Sequence, residues 1–388
     1  MYNVKTFNAI AQVGLDEFGA DYSVSAETEN ADAILLRSHK LQVDEFGENL
    51  LAIARAGAGV NNVPVEACSE RGIVVFNTPG ANANSVKELV LTALLLASRD
   101  VYGGIEYVRS LQSVSDEGEL NKLVEAEKKR FKGKELIGKT LGVVGLGAIG
   151  SLVARAALDL GMKVVGYDPA LSVEAAWRVP SQVGRMENLP SLFARADYVT
   201  LHVPLLPATE GMINAEALQS FKPGSVLLNF ARQPIVDTAA LTQALESGQV
   251  GKYVADFPVP GLLDHERVML TPHLGASTAE AEENCAVMAA EQLKHFLETG
   301  SITNSVNFPQ VSMERSEGHR VAVTNSNVPG MLGQMTSLLA DREINVIDLL
   351  NKSRDEVAYN LIDLAEAPDQ GLLDAIQQIE GVISVRVI

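Results

Sequence analysis

The side chains best suited to chemistry in this chain are His202, Arg232, Asp256 and His273. Each stands where a short apolar run ends. Asp197–Leu201 (DYVTL) runs into His202-Val203-Pro204, and Val226–Phe230 (VLLNF) into Ala231-Arg232-Gln233. Lys252–Asp256 closes on its own aspartate, and Val268–Thr271 runs into Pro272-His273. Histidine gives and takes a proton near neutral pH. Arginine grips a carboxylate with paired, charge-assisted bonds. Polar residues at successive strand ends are hard to explain by packing, and ligands of open α/β sheets bind beyond the strand C-termini. Catalysis is the better explanation.

The element that must position these residues is Lys139–Pro169, KTLGVVGLGAIGSLVARAALDLGMKVVGYDP. Thr140–Val144 is a short buried strand, Ala148–Leu160 carries apolar residues at helical spacing, and Lys163–Tyr167 is the next strand. Between strand and helix lies Gly145-Leu146-Gly147-Ala148-Ile149-Gly150. The first glycine allows the turn, the second lets a pyrophosphate approach the backbone, and the third lets helix pack on strand. The helix N-terminus offers free N–H groups and a positive dipole end to phosphates. Glycine spacing alone is weak, but here strand, helix and terminal acid are all in register with it. Asp168, before Pro169, is set to bond the adenosine ribose hydroxyls and repel a 2′-phosphate, which favours NAD over NADP.

Composition narrows the alternatives. With 388 residues, 47% hydrophobic and 21% charged, the chain is expected to form two or three globular domains. A formal net charge of −18 argues against nucleic acid and anionic membrane as partners. An anionic substrate then needs its own local basic cluster. Cys68 and Cys285 lie far apart in no metal-ligand spacing, which suggests buried thiols, a reducing compartment and no metal. The N-terminus lacks a secretory apolar region, and Leu89–Ala97 is too short to span a bilayer, so cytoplasm is the default.

Residues 1–92 alternate strands and helices. Ala33–Arg37 delivers Arg37 and Ser38 to a loop, and Leu50–Arg55 delivers Arg55 to the turn of Gly57, Ala58 and Gly59. The two arginines could form a fork for a carboxylate or phosphate, although spacing alone favours ordinary surface arginines. A long apolar helix starts at Ser85. Residues 100–135 read as helical and charged, with a basic run at Lys128-Lys129-Arg130 and Lys132 that is either a solvated face or a substrate patch. Asp237 fits the N-cap of helix Thr238–Ser247. A long helix, Ala279–Thr299, leaves the sheet, and residues 300–316 are polar and irregular. The tail from Arg320 reads βαββαβ, a small ferredoxin-like unit.

The glycine turn, Asn229-Phe230-Ala231-Arg232 and Pro272-His273-Leu274-Gly275-Ala276-Ser277-Thr278 together resemble the D-isomer-specific 2-hydroxyacid dehydrogenases. Arg55-Ala56-Gly57-Ala58-Gly59, Asn77-Thr78-Pro79 and His202-Val203-Pro204-Leu205-Leu206-Pro207 belong to the same likeness, which covers nearly the whole chain. The resemblance implies a Rossmann-type NAD domain (92–278) inserted in a flavodoxin-like substrate domain (1–91 and 279–308), with a linker (309–318) and an ACT-like βαββαβ regulatory domain (319–388). It implies hydride transfer between C2 of a 2-hydroxy acid and NAD. His273 is the acid/base and Arg232 the clamp on the carboxylate. Arg37, Ser38, Arg55 and the Gly57-Ala58-Gly59 turn hold the far end of the substrate, here a phosphate. His202, Val203, Pro204, Thr209, Phe230, Ala231, Asp256, Gly275 and Ala276 join the glycine turn around the cofactor, His202 in a structural capacity. Asn325, Asn327 and Asn345 stand at the positions of an amino-acid effector, L-serine, and a homodimer or homotetramer is implied.

The chain departs from the pattern in two places. The family pairs its histidine with a glutamate shortly after the strand ending in Asp256. Here the sequence reads Asp256-Phe-Pro-Val-Pro-Gly-Leu-Leu-Asp264-His-Glu266, and that glutamate is missing. Asp256, Asp264 or Glu266 could stand in, or His273 could work without a carboxylate; Asp256 is the favoured stand-in. Gln233 replaces a usual glycine. Two rival readings are another D-2-hydroxyacid dehydrogenase, such as a hydroxypyruvate/glyoxylate reductase, and a non-catalytic NAD-sensing protein.

Overall fold

A computed structural model describes residues 1–388, the side chain of Glu174 excepted. The chain opens with β1 (Tyr2–Phe7), α1 (Gln12–Leu15), β2 (Tyr22–Ser25), β3 (Ala33–Leu36), β4 (Ala52–Arg55), α2 (Val65–Glu70) and β5 (Val74–Phe76). These strands form a parallel sheet in the order β2-β1-β3-β4-β5, the flavodoxin-like order. β3 and β5 are wholly buried, which is why their sequences are unbroken apolar runs rather than alternations. Leu36 pairs with Arg55, so Arg37 and Arg55 emerge from neighbouring strand ends.

The next segment holds α3 (Ala83–Ser98), α4 (Val101–Ser110), α5 (Glu117–Glu127), β6 (Thr140–Val144), α6 (Ala148–Asp159) and β7 (Lys163–Tyr167). It continues through α7 (Val173–Ala176), β8 (Gly184–Arg185), α8 (Leu189–Phe193), β9 (Tyr198–Leu201), α9 (Ala215–Gln219), β10 (Ser225–Asn229), α10 (Thr238–Glu246), β11 (Val250–Ala255) and β12 (Val268–Leu270). The parallel sheet runs β12-β11-β10-β9-β6-β7-β8. Strand order reverses between β6 and β9, and ligands of doubly wound sheets bind at that switch point. Gly145 follows β6 and His202 follows β9, so the sequence motif and the topology select the same place. The contact-defined unit spans Ala83–Thr278 and begins earlier than the expected 92. The reason is α3, whose Val86, Val90 and Leu94 share a core with Leu141, Val143 and Val153.

Helix α11 (Ala279–Thr299) returns to the first unit, where Cys285, Ala289, Leu293 and Phe296 pack with Leu35, Ala54 and Phe76. The tail is β13 (His319–Ser326), α12 (Met331–Asp341), β14 (Val346–Arg354), β15 (Val357–Leu364), α13 (Gln370–Gln377) and β16 (Val382–Val387). Its antiparallel sheet runs β14-β15-β13-β16, the expected βαββαβ unit. Alternation along the strands gives it two apolar faces. Val321, Val323 and Ile362 meet the helices through Met335, Leu339, Leu372 and Ile376. Ala322, Tyr359 and Leu361 meet Phe296, Ile302, Phe308 and Val311. Segment 309–318, the expected linker, is packed against its neighbours. Val311 and Met313 are buried, and Ile302 and Val311 exchange both backbone bonds.

A buried ion pair fixes this seam. Arg320 Nε donates to Asp363 Oδ1 at 2.7 Å and its NH2 to Oδ2 at 2.9 Å, with both side chains almost fully buried. The remaining guanidinium N–H groups reach the carbonyls of Thr299, Met313 and Glu314. Tyr359 and Arg386 add bonds to the carbonyls of Gly300 and Phe296. Burial alone would raise the Asp363 carboxyl pKa, but bonds from Arg320 and Ser316 outweigh it and hold it below the usual carboxylate range. Its contribution is therefore present above the unfolded carboxylate pKa of about 3.9 and lost as pH falls through the lower folded value. Arg320→Ala is expected to destabilise the chain by about 3–5 kcal/mol, because it strands a buried carboxylate. Urea unfolding at pH 7 measures this, and an Arg320→Met/Asp363→Leu double variant should recover much of the loss.

Candidate active site

The glycine turn is built by steric exclusion. Gly145 has φ +90°, and a Cβ there would lie 2.5 Å from the His202 carbonyl oxygen. A methyl on Gly150 would overlap the Gly145 carbonyl. Gly147 differs: a Cβ there would meet nothing within 4 Å, so its backbone faces open space at the head of α6. Ala148 and Ile149 form the first turn, whose N–H groups have no acceptor within the helix. Asp168 accepts from Leu146 N at 2.8 Å and Ala170 N at 3.0 Å, tying the turn to the end of β7 just before Pro169. A carboxylate has about four acceptor positions, which leaves room for two hydroxyls. An open backbone cradle, free N–H groups and a half-used acid fit a dinucleotide.

His202 sits against this turn. Its Nε2 meets Thr200 Oγ1 at 2.9 Å, and its Nδ1 is buried without a partner. Burial pushes the imidazole pKa down to about 3, so the ring is neutral at physiological pH. The neighbouring Val203 side chain crowds Gly145. Thr209 bonds back to the Pro204 carbonyl at 2.6 Å and accepts from Leu206 N, so its hydroxyl shapes the 204–209 loop.

Asn229, at the end of β10, folds the Arg232 loop by accepting from Ala231 N and donating to the Arg232 carbonyl. Phe230 and Ala231 are buried, while Arg232 is exposed and donates to the Ala231 carbonyl at 2.6 Å. Gln233 opens a short 3-10 turn, Gln233–Ile235, without positive φ, so a side chain fits where the family has glycine.

Asp256 is 3% exposed and faces the histidine loop. Its Oδ1 accepts from Thr271 Oγ1 at 2.6 Å and Leu274 N at 2.7 Å, and its Oδ2 from Gly275 N at 2.7 Å. The sequence favoured Asp256 as a direct partner of the His273 ring. Instead it holds the backbone after His273 and the hydroxyl before it. His273 itself is exposed, takes φ +61°, and meets the Phe257 ring edge-on at 4.9 Å between centroids. Asp264 is exposed. Glu266 pairs with Arg267 and lies at the start of β12, the wrong end of the sheet for His273. Among the described residues no carboxylate pairs with the His273 ring. Ser85 donates to the Gly275 carbonyl at 2.7 Å, and Gly275 is buried beside Asp256, with Ala276 following. Phe257, Thr271 and Ser85 were not singled out by sequence. Apolar contacts and bonds to backbone leave no motif.

In the other unit, Arg55 Nε donates to the Arg37 carbonyl at 3.0 Å, and the Arg55 guanidinium lies over Gly57, where any Cβ would collide with it. Arg37 NH2 donates to Glu282 on α11 at 2.7 Å, a partner the sequence did not suggest. Asn8 accepts from the backbone N–H groups of Ser38 and His39. The Asn77 side chain donates to the Ala58 carbonyl, Thr78 N to the Gly57 carbonyl, and Gly59 completes the turn. Both thiols are buried, and burial pushes Cys68 up to about 12 and raises Cys285, so neither is a nucleophile at neutral pH.

In the tail, Asn325 is buried, accepts from Asn360 at 2.7 Å and donates to the Ser326 carbonyl. Asn351 continues the ladder onto Asn360 at 2.6 Å. Asn327 donates to the Asp355 carbonyl at 3.0 Å, and Asn345 is exposed. The three expected effector residues thus differ: one is consumed within the sheet, and Asn345 faces solvent.

Residues 92–275 match the D-isomer specific 2-hydroxyacid dehydrogenase NAD-binding domain. The chain belongs to the D-isomer-specific 2-hydroxyacid dehydrogenase family. Its relatives include proteins named D-3-phosphoglycerate dehydrogenase. It is 32% identical to that of Escherichia coli strain K12 over 95% of this chain and 89% of the relative. Against that of Methanocaldococcus jannaschii it is 36% identical over 89% of this chain, and spans 64% of that relative's length. The NAD+-bound 3-phosphoglycerate dehydrogenase of Entamoeba histolytica superposes with a TM-score of 0.62 at 27% identity, over 79% of this chain and 98% of the other. The cofactor is NAD. Gly150→Ala is expected to weaken NADH binding by about tenfold or more, because the methyl must displace backbone rather than a flexible side chain. NADH fluorescence titration measures this.

Proposed function

We propose that the chain oxidises D-3-phosphoglycerate to 3-phosphohydroxypyruvate with NAD, the first committed reaction toward L-serine. The observation that carries this reading is the His273 loop, gripped by Asp256 in the same unit as the glycine turn and Arg232. A pure NAD-binding protein has no use for a base so held. NAD, when bound, supplies the hydride acceptor. His273 takes the proton from the C2 hydroxyl as the C2 hydride leaves, and returns it to the ketone oxygen in the reverse direction. Arg232 clamps the carboxylate and polarises the C2 oxygen through charge-assisted bonds. Asp256 is a positioning residue for the histidine loop. Arg37, Ser38, Arg55 and the Gly57-Ala58-Gly59 turn serve the phosphate, with Glu282 orienting Arg37.

The relatives' names support the phosphorylated substrate, and the βαββαβ tail supports regulation. Its order is that of an ACT domain, and L-serine is the proposed effector at Asn327 and Asn345, with Asn325 supporting the strands. A homodimer or homotetramer is the proposed assembly.

NADH formation on D-3-phosphoglycerate, beside D-glycerate and D-lactate, tests the assignment. Turnover is expected to require the phosphate, and Arg55→Ala to raise KM for D-3-phosphoglycerate by about tenfold or more with less change in kcat. Activity on the unphosphorylated acids alone would move the chain to the glyoxylate reductase branch. In the same assay L-serine is expected to lower activity.

A further inference from the structure

The Ala83–Thr278 unit holds a cavity of about 610 Å³ that the chemistry above does not use. It lies at the N-terminal ends of the sheet, against the starts of β9, β10 and β11 and the residue before β6. The strands are parallel, so their other ends carry Gly145, His202, Asn229 and Asp256. At about 3.3 Å per residue, strands of this length set the cavity a full sheet width from His273.

Its lining is cationic in a protein of net charge −18. Arg130, Lys132, Lys134, Lys139, Lys222 and Lys252 contribute to it. The acids that share the lining are already engaged. Asp197 pairs with Lys222 at 2.6 Å and accepts from Thr140 N, Asp100 caps α4 through Gly103 N, and Glu266 pairs with Arg267. Arg130 is held by Glu127. Lys132, Lys134, Lys139 and Lys252 have no carboxylate within ion-pair distance among the described residues. Such like charges repel across a shared cavity unless an anion is supplied.

A second observation points the same way. Ser225 lines the cavity at 3% exposure, and its Oγ has no hydrogen-bond partner. An orphaned buried hydroxyl is costly and is uncommon without a ligand or water to receive it. The volume falls within the range of about 300–1,000 Å³ usual for small-molecule sites.

We propose that this cavity is a second anion site, taking a small phosphorylated molecule at the end of the sheet opposite the catalytic rim. Lys139 and Lys252 supply charge, and Ser225 supplies a hydroxyl donor. The sequence left the basic run near Lys129 open between a solvated face and a substrate patch. Its Arg130 and Lys132 instead serve this remote cavity.

Calorimetric titration of pyrophosphate into the NADH-saturated full chain tests the proposal, since bound NADH closes the glycine turn to the probe. Wild type and Arg55→Ala are expected to bind alike. Lys139→Gln/Lys252→Gln is expected to weaken binding by about tenfold or more and to leave D-3-phosphoglycerate turnover unchanged. Ser225→Ala is expected to weaken binding without lowering the melting temperature, because the lost hydroxyl has no partner. The proposal is overturned if wild type binds no pyrophosphate, if sodium chloride at matched ionic strength abolishes binding, or if Arg55→Ala alone removes it.

Discussion

One carboxylate organises the loop that carries His273. Asp256 ends β11 inside the protein and spends its oxygens on the Thr271 hydroxyl and the N–H groups of Leu274 and Gly275. Those bonds pin both flanks of His273, a non-glycine residue at φ +61°. Left-handed φ is unfavourable for such a residue, so the loop must be held there by its surroundings. The result is a histidine held through its backbone, with no carboxylate paired to its ring among the described residues. Where the family places a glutamate against the histidine ring, this chain has Asp256 behind the loop and the Phe257 ring in T-shaped contact beside it.

The same economy of backbone donors recurs across the unit. Asn229 folds the Arg232 loop, Asp168 ties the glycine turn to β7, and Ser85 holds the Gly275 carbonyl. Asn229 and Asp168, each at a strand end, secure the loop that follows their own or a neighbouring strand. Arg232 and His273 are thus left exposed on loops held through backbone hydrogen bonds.

What could be read from sequence follows from what physics writes into residue identity. Gly145 and Gly150 were legible because backbone crowding there admits no Cβ. The buried strands were legible because parallel strands covered on both faces are unbroken apolar runs. The role of Asp256 was not, since the N–H groups that it meets belong to any residue type. Glu282 was missed as the partner of Arg37 because their approach depends on α11 returning to the first sheet. The packing of segment 309–318 was not legible, because its polar residues hid the alternation that buries Val311 and Met313. Its true anchor, the Arg320–Asp363 pair, joins residues far apart in the chain. The cationic cavity was equally hidden, its lysines being scattered between Lys132 and Lys252.

The pH profile of kcat/KM for D-3-phosphoglycerate, compared between wild type and Asp256→Asn, tests the central claim most directly. An amide cannot accept from all three donors, so the loop loosens while the ring's surroundings stay the same. The predicted result is a plateau lowered by about tenfold to a hundredfold, with its base limb at an unchanged pH and NADH still bound. A base limb displaced in pH would show that Asp256 acts on the ring itself, and an unchanged plateau would show that the loop needs no such hold.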